Sequence, residues 1–404
     1  MSVDSSDSSG RTTQSTSKPQ SRASSSTTQS TSSKSESRPS SSKASSLRGP
    51  HVKLEPVDGP SWTIKESPLI AAGGGTGKGM FATRLISAGE VILTDMPMLM
   101  LKSPYANGED DPVWSIDDRP HEIPPKDVYK AFKKLSTDDQ LYCLTVLSHV
   151  ATSDKQLLNS AKDVKLEAKS HDELIEAGKI LAIWENNVLQ AEGELQILCR
   201  NVSRINHSCV PNAVHTWDFL SGLSIRAICD IPAGTEVLIS YVRDFDCYTK
   251  RAEDLTSYGF RCTCAACGES DYSRESAKRR SELDELELSL VTHDPDGDGT
   301  PGKPEISTED ELRICKRMLQ VLAHEPSMRS FEAEIQYHYG YRLHDLGRTA
   351  EAVEHLEAGF RLLTICQGSE RSTTQECKEE LDECKEELDE MPSFIKPERS
   401  SVRK

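Results

Sequence analysis

The chain has no run of apolar residues long enough to cross a membrane, and its first residues hold no apolar stretch of the kind a secretory leader needs. Both absences predict a soluble intracellular protein, in the nucleus, the cytoplasm or both, with no membrane partner. Positive charge is also short: 48 Lys and Arg face 65 Asp and Glu, for a net charge of −17. Such a balance disfavours electrostatic capture of nucleic acid, and no direct sequence-specific nucleic-acid partner is expected. Twelve cysteines in 404 residues are too sparse for a disulfide scaffold and fit a reducing compartment, where their clustering matters more than their number. Apolar residues make up 36%, so part of the chain must be polar and unpacked, while the length still allows more than one domain.

What is present divides unevenly. Residues 1–50 contain 21 Ser and almost no large apolar side chain, so a disordered tail is expected over 1–60. Its Arg and Ser content superficially suggests a transit peptide, but the apolar stripe of an amphipathic presequence is missing. From Ser67 onward, Gly-rich turns separate short β-branched stretches, and Leu85 to Leu93 reads as strand, turn, strand around Ala88-Gly89. Residues 102–126 read as a loop rich in Pro, Gly and acids. Helices follow from Thr137, where Thr137 and Gln140 form a capping-box pattern, and over Asp172 to Val188, whose Leu174, Ile175, Leu181, Trp184 and Val188 make an apolar stripe. Short strands return at Leu223–Ile228 and Glu236–Tyr241, flanking the turn Pro232-Ala233-Gly234. This β, α, β order without regular alternation predicts an α+β fold.

After Cys267 the pattern is helical. Tyr337 to Leu363 resembles one tetratricopeptide unit, placed at about 331–366, and CKEELDE occurs twice from Cys377, with Leu381, Cys384 and Leu388 on one seam. Two heptads are short for a coiled coil, so a solvated acidic helix is the expectation, with residues 391–404 a second disordered tail.

The densest chemical signal is Arg204 to Asn212, RINHSCVPN, followed by Ile239-Ser240-Tyr241 and then YGFRCTCAAC from Tyr258 to Cys267. Three thiols within six residues suit tetrahedral zinc, which needs a fourth ligand from elsewhere. Cys209 is the best candidate, with Cys199, Cys229 and Cys247 as substitutes. Four thiolates leave no open position, so such a zinc is structural and chemistry must lie beside it. On bare chemistry, Asn206 and His207 are more ordinarily turn or core polar groups. Gly73 to Gly79 mimics a phosphate loop, but Gly79 follows Lys78 where Ser or Thr is required. Asp294, Asp296, Asp298, Gly299 and Glu305 match the spacing of a calcium loop; Pro301 and Pro304 oppose its geometry, and a solvated linker is expected instead.

Together, GKGMFA at 77–82, NHSCVPN at 206–212, ISY at 239–241 and the cysteines after YGF resemble SET-domain protein lysine methyltransferases over residues 67–267. The helical segment between the first strands and NHSC, and the helical C-terminus, look most like the SET and MYND branch and its fungal relatives. Only Cys143 lies between Leu101 and Leu198, so no MYND finger can be built. The resemblance implies a SET-type knotted β fold at 67–241 with a helical insert at about 127–190. It further implies a zinc-bound post-SET segment at 242–270 and a helical region at 271–390. S-adenosyl-L-methionine would be the cofactor. By position, Lys78, Gly79 and Met80 would contact it through backbone atoms, Asn206 and His207 would hold its amino-acid and adenine portions, and Tyr258 and Phe260 would line the channel and adenine pocket. Tyr241 would be the catalytic tyrosine, and Cys209, Cys262, Cys264 and Cys267 would hold zinc. The expected partner is a basic, lysine-bearing protein such as a histone, acted on by a monomer. The rival reading is an adaptor that keeps the SET scaffold and binds partners through its helical C-terminus.

Overall fold

A computed structural model describes residues 61–70, 76–102, 123–147, 153–164, 170–191, 195–243, 245–291 and 306–390. The expected tails at 1–60 and 391–404 and the calcium-loop pattern at 294–305 lie outside them. Four small sheets form the first half. Strands β1 (Trp62–Ile70) and β2 (Thr76–Ala82) pair antiparallel, Trp62 opposite Ala82. Strands β3 (Val91–Asp95) and β4 (Pro97–Lys102) then enter different sheets. Four helices follow: α1 (Pro125–Phe132), α2 (Thr137–Val146), α3 (Asp154–Ser160) and α4 (His171–Asn187). The remaining strands are β5 (Leu189–Gln190), β6 (Leu195–Cys199), β7 (Asn206–His207), β8 (Ala213–Asp218), β9 (Gly222–Ala227) and β10 (Leu238–Ile239). The sheet orders are β3-β9-β8 and β4-β6-β5, and β10 pairs with β7 in parallel.

Alternation governs which side chains enter the core. In β9, Leu223 and Ile225 are fully buried while Ser224 and Arg226 are only partly so, and they meet Ile197, Ile205, Val237 and Ile239. The two Ala-Gly turns are real: Gly89 and Gly234 sit at φ 85° and 83°, where a Cβ is strained. Two expectations change. Leu85-Ile86 shrinks to a single bridge from Ile86 to Ile231. Residues 223–228 and 236–241 also do not pair with each other, because both edges of β9 are already taken by β3 and β8. The later segment instead sends the Val237 N–H to the Met80 carbonyl at 2.8 Å and lays β10 beside β7.

The inserted helices build their own core from Val128, Phe132, Cys143, Ile180 and Ile183, closed by Leu99 and Leu198 from the neighbouring sheet. The cap of α2 is Ser136, one residue before the expected Thr137: its hydroxyl accepts the Asp139 N–H, while Gln140 instead donates to the Leu135 carbonyl at 2.9 Å. Helix α5 (Tyr248–Asp254) leads into the cysteine-rich turn. Then come α6 (Asp271–Val291), α7 (Thr308–Leu322), α8 (Arg329–Asp345), α9 (Thr349–Cys366) and α10 (Ser372–Glu390). Helices α8 and α9 form a hairpin turning at Leu346-Gly347, with Gly347 at φ 70°. Helix α10 is not merely solvated: Cys377, Leu381 and Cys384 are buried in the cluster with Leu343, Leu356 and Leu363. Long apolar stripes on α8 and α9 need a covering face, and the repeated heptad supplies one.

The helical region is tied to the sheets by polar bonds. Arg371 donates to the Trp217 carbonyl at 2.6 Å, and Arg226 pairs with Glu370 at 2.6 Å. Deeper in, Arg280 on α6, with no exposed surface, donates to the Cys209 carbonyl at 2.9 Å and faces the equally buried Glu325.

Candidate functional site

Two-residue strands set the site. Pairing of β7 with β10 puts Asn206 beside Leu238 and His207 beside Ile239. Asn212 fastens the same strand from its side chain, donating to the Glu236 carbonyl and accepting the Leu238 N–H, both at 2.8 Å. Tyr241 emerges two residues beyond β10, and its backbone N–H donates to His207 Nδ1 at 2.9 Å. An accepting Nδ1 places the ring proton on Nε2, which donates to Cys209 Sγ at 3.2 Å. Both ring nitrogens are therefore engaged within the protein. Burial holds the His207 imidazole neutral, with its pKa lowered to about 4.

The Tyr241 hydroxyl donates to the Ile205 carbonyl at 2.5 Å. Burial pushes its phenol above the usual range, and burial does the same for Tyr258, so both stay neutral at physiological pH. The rings form a cluster: Tyr241 and Tyr258 lie 5.0 Å apart between centroids, and His207 and Phe260 6.0 Å.

A cavity of about 690 Å³ opens against this cluster, lined by Lys78, Arg204, Asn206, His207, Tyr258 and Phe260, among others. A second, of about 670 Å³, lies beyond Tyr241 and Tyr258 and is lined by Arg243, Asp246, Lys250, Glu253 and Asp254. The two tyrosines are the wall that both share. Asp254 in the second cavity has its carboxyl pushed up by burial and by Asp246 nearby.

Of the three GKGM residues expected at the cofactor, only Lys78 lines the first cavity. Met80 is fully buried among Ile86, Ile205 and Ile239, and its carbonyl accepts the Val237 N–H, so its side chain belongs to the core. Gly79 acts by being small. A Cβ there would lie 1.9 Å from Glu236 Oε1 and 2.8 Å from Asn206 Nδ2, so any side chain would break the bond these two atoms make at 2.6 Å.

Several contributors were not foreseen. Glu236 is buried yet satisfied, by Asn206 on one oxygen and by Ser67 Oγ at 2.9 Å on the other. An acid directly before the apolar stretch Val237–Ile239 was the available signal. Arg204 is buried at the cavity wall, donates to the Val146 carbonyl at 2.9 Å, and leaves its Nε without a partner. No local pattern announces Arg251, which is fully buried and donates to Cys267 Sγ at 3.7 Å.

The thiols of Cys209, Cys262, Cys264 and Cys267 all lie within 4.8 Å of one another. Cys209 Sγ stands 3.5 Å from Cys267 Sγ and 3.9 Å from Cys262 Sγ. Four sulfurs tetrahedrally placed at about 2.3 Å from zinc stand about 3.8 Å apart, so the donor set fits that metal. Cys199 and Cys229, the proposed substitutes for Cys209, are not in the group, and neither is Cys247. The His207 N–H and the Arg251 guanidinium donate to Cys209 Sγ and Cys267 Sγ, and would temper thiolate charge around a bound metal.

Comparison with known proteins agrees with this layout. Residues 77–242 match the SET domain family. The histone-lysine N-methyltransferase set5 of Schizosaccharomyces pombe is 38% identical over 85 residues, covering 20% of this chain and 27% of that protein. The histone-lysine N-methyltransferase ASHR2 of Arabidopsis thaliana is 34% identical over 94 residues, covering 21% of this chain and 23% of the relative. The chain thus spans about a quarter of the length of these curated relatives. Among solved structures, the SET domain of LSMT bound to lysine and AdoHcy is similar over 83% of this chain and 89% of the other, with 13% identity and a TM-score of 0.33. The NHSC and ISY segments and the strands that pair them lie inside the matched span, and residues 77–242 of this chain are a SET domain, similar to those of fungal and plant lysine methyltransferases.

Proposed function

We propose that this chain transfers a methyl group from S-adenosyl-L-methionine to the side-chain amine of a lysine in a basic protein. The observation that carries the reading is the pair of cavities meeting at Tyr241 and Tyr258. The first, at about 690 Å³, lies in the usual range for a small-molecule site, roughly 300–1,000 Å³. Its donors suit an amino acid joined to a nucleoside. The unpartnered Arg204 Nε suits a carboxylate, the Lys78 carbonyl that already accepts from Asn206 at 3.2 Å suits an ammonium, and Phe260 suits a base. The cofactor supplies an electrophilic methyl on a sulfonium. The second cavity carries Asp246, Glu253 and Asp254 beside Arg243 and Lys250, with Asp246 paired to Lys250 at 2.9 Å, a balance that favours an incoming ammonium.

Methyl transfer from such a sulfonium to an amine would ask of the protein that it orient the two centres and exclude water. Tyr241 serves that end. Its proton is held by the Ile205 carbonyl, which leaves the phenol oxygen's lone pairs for the reacting centre, while the facing Tyr258 ring disfavours a charged amine by desolvation. Asn206 and Glu236 keep the cofactor wall in place, and His207, with both nitrogens spent, acts through position.

The finer architecture belongs to the same reading. Residues 242–270 are a post-SET segment holding structural zinc through Cys209, Cys262, Cys264 and Cys267, and the hairpin of α8 and α9 is a single tetratricopeptide-like unit at about 331–366. The working form is a monomer in the nucleus, the cytoplasm or both. Calorimetry with S-adenosylmethionine, followed by labelled methyl transfer onto purified histones and a whole-cell extract, tests the proposal. Cofactor binding together with labelled lysine supports it; absence of cofactor binding makes the SET domain an adaptor scaffold.

A further inference from the structure

A second group of metal-ligating side chains lies far from the cysteine-rich turn, between α8 and α10. Helix α10 carries Glu380, Cys384 and Glu387, whose spacings of four and three keep them on one face. His344, in the last turn of α8, meets them there. Its Nδ1 stands 2.5 Å from Glu380 Oε1 and its Nε2 3.0 Å from Glu387 Oε2. A neutral imidazole has one N–H, so it can satisfy only one of these carboxylates; the other nitrogen then points a lone pair at an anion. Some cation must sit on the ring.

A second proton would supply that cation, but a metal ion would also use the sulfur that the apolar cluster brings beside the ring. Cys384 is fully buried, and its Sγ, the Glu380 carboxylate and a His344 nitrogen lie within 4.8 Å of one another. A buried thiol converging on an imidazole and a carboxylate is a mixed S, N, O donor set, which suits zinc and not magnesium or calcium. We propose that His344 Nδ1, Glu380 and Cys384 bind a zinc ion whose fourth position is open to water. Glu387 receives the Nε2 hydrogen, as a carboxylate commonly does behind a metal-bound histidine, and is itself held by Thr349 Oγ1 at 3.2 Å. The 2.5 Å contact between His344 and Glu380 would open to about 3.3 Å for ligands of one tetrahedral zinc, a shift within the reach of a Glu side chain. Such an ion fastens α10, the last of the described helices, across the end of α8. It is independent of the methyl-transfer reading.

Zinc content of the full chain, freed of any affinity tag and dialysed against micromolar zinc, tests this directly. About two equivalents are expected, one in the cysteine cluster and one here. Cys384→Ser removes the sulfur while leaving both His344 ion pairs, and should lower the content to about one equivalent. Glu380→Gln should do the same, and in both variants the tetrathiolate absorption of cobalt-substituted protein should survive. A wild-type content of one equivalent overturns the site, as does a Cys384→Ser protein that keeps two.

Discussion

The two halves of this molecule are held together by different means. In the helical region, α7 to α10 are 15 to 19 residues long and meet over one apolar cluster. Around the site, β7 and β10 are two residues each, and the chain is fastened by side-chain hydrogen bonds and by four converging thiols. Apolar burial is non-directional and tolerates small shifts, whereas these short polar links place atoms to within a bond length. The helical region rests on one apolar cluster, whereas the site, beside its own buried sheet core, adds directional polar links that set its geometry. The junction is Arg280, rooted in α6 and bonded to the carbonyl of Cys209.

Metal removal should split the halves most widely. The cysteine-rich turn has only Leu255 and Ala266 buried beside Cys209, too little to fold by burial alone. Chelation is expected to abolish cofactor binding and open the backbone around Tyr258, while α7 to α9 keep their protection in hydrogen exchange. Equal loss of protection in both halves would show that they fold as one unit.

The junction gives the next largest effect. Glu325 accepts from Arg279 Nε at 2.7 Å, Ser276 Oγ at 3.1 Å, Tyr272 OH at 3.3 Å and Arg280 Nη2 at 3.4 Å, all without solvent exposure of its own side chain. Glu325→Gln removes the fully buried carboxylate that faces Arg279 and Arg280, and breaking a buried ion pair typically costs about 3–5 kcal/mol. Denaturant unfolding should register that loss, and cofactor affinity should fall beyond what the unfolded fraction explains, because the Cys209 carbonyl loses its anchor. Unchanged affinity in the folded fraction would confine this pair to stability.

These contrasts also mark what the sequence could disclose. The NHSC, ISY and cysteine segments were legible because their chemistry is local: a turn, a strand end and closely spaced thiols. The strand-turn texture and the α4 stripe were legible through periodicity. Glu325 and Arg280 are 45 residues apart on different elements, and no pattern couples them. Helix α10 reads as an acidic surface until α8 and α9 present the apolar face it covers. Met80 sits in a functional motif, yet its side chain belongs to the buried cluster with Ile86, Ile205 and Ile239.

A smaller effect, confined to chemistry, is expected from Tyr241→Phe. The ring and its 5.0 Å contact with Tyr258 remain, so folding and cofactor binding should persist. Turnover on a verified substrate should fall by about 10²-fold, equivalent to about 2.7 kcal/mol. His207→Ala should raise the cofactor dissociation constant first, since it removes the ring that ties Tyr241 N–H to Cys209 Sγ. Near-normal turnover of Tyr241→Phe would transfer the orienting role to Tyr258.

The smallest expected effect separates the halves by pH. Glu311 on α7 is buried, which by itself raises a carboxyl pKa, but bonds from His338 at 2.6 Å and Arg342 at 3.2 Å outweigh burial and hold it below the usual value. A depressed folded-state pKa stabilises above the unfolded value, about 4.5 for this side chain, and that contribution is lost as pH falls through the folded one. The α7–α8 contact should therefore weaken below about pH 4.5. Glu311→Gln should remove about 1.5 kcal/mol at neutral pH, a typical value for a hydrogen bond to a charged group, and should flatten the acid limb. Far-UV circular dichroism during thermal unfolding at stepped pH reads this in the helices. If wild type and variant lose stability in parallel on acidification, the acid limb belongs to other carboxylates and Glu311 contributes only packing.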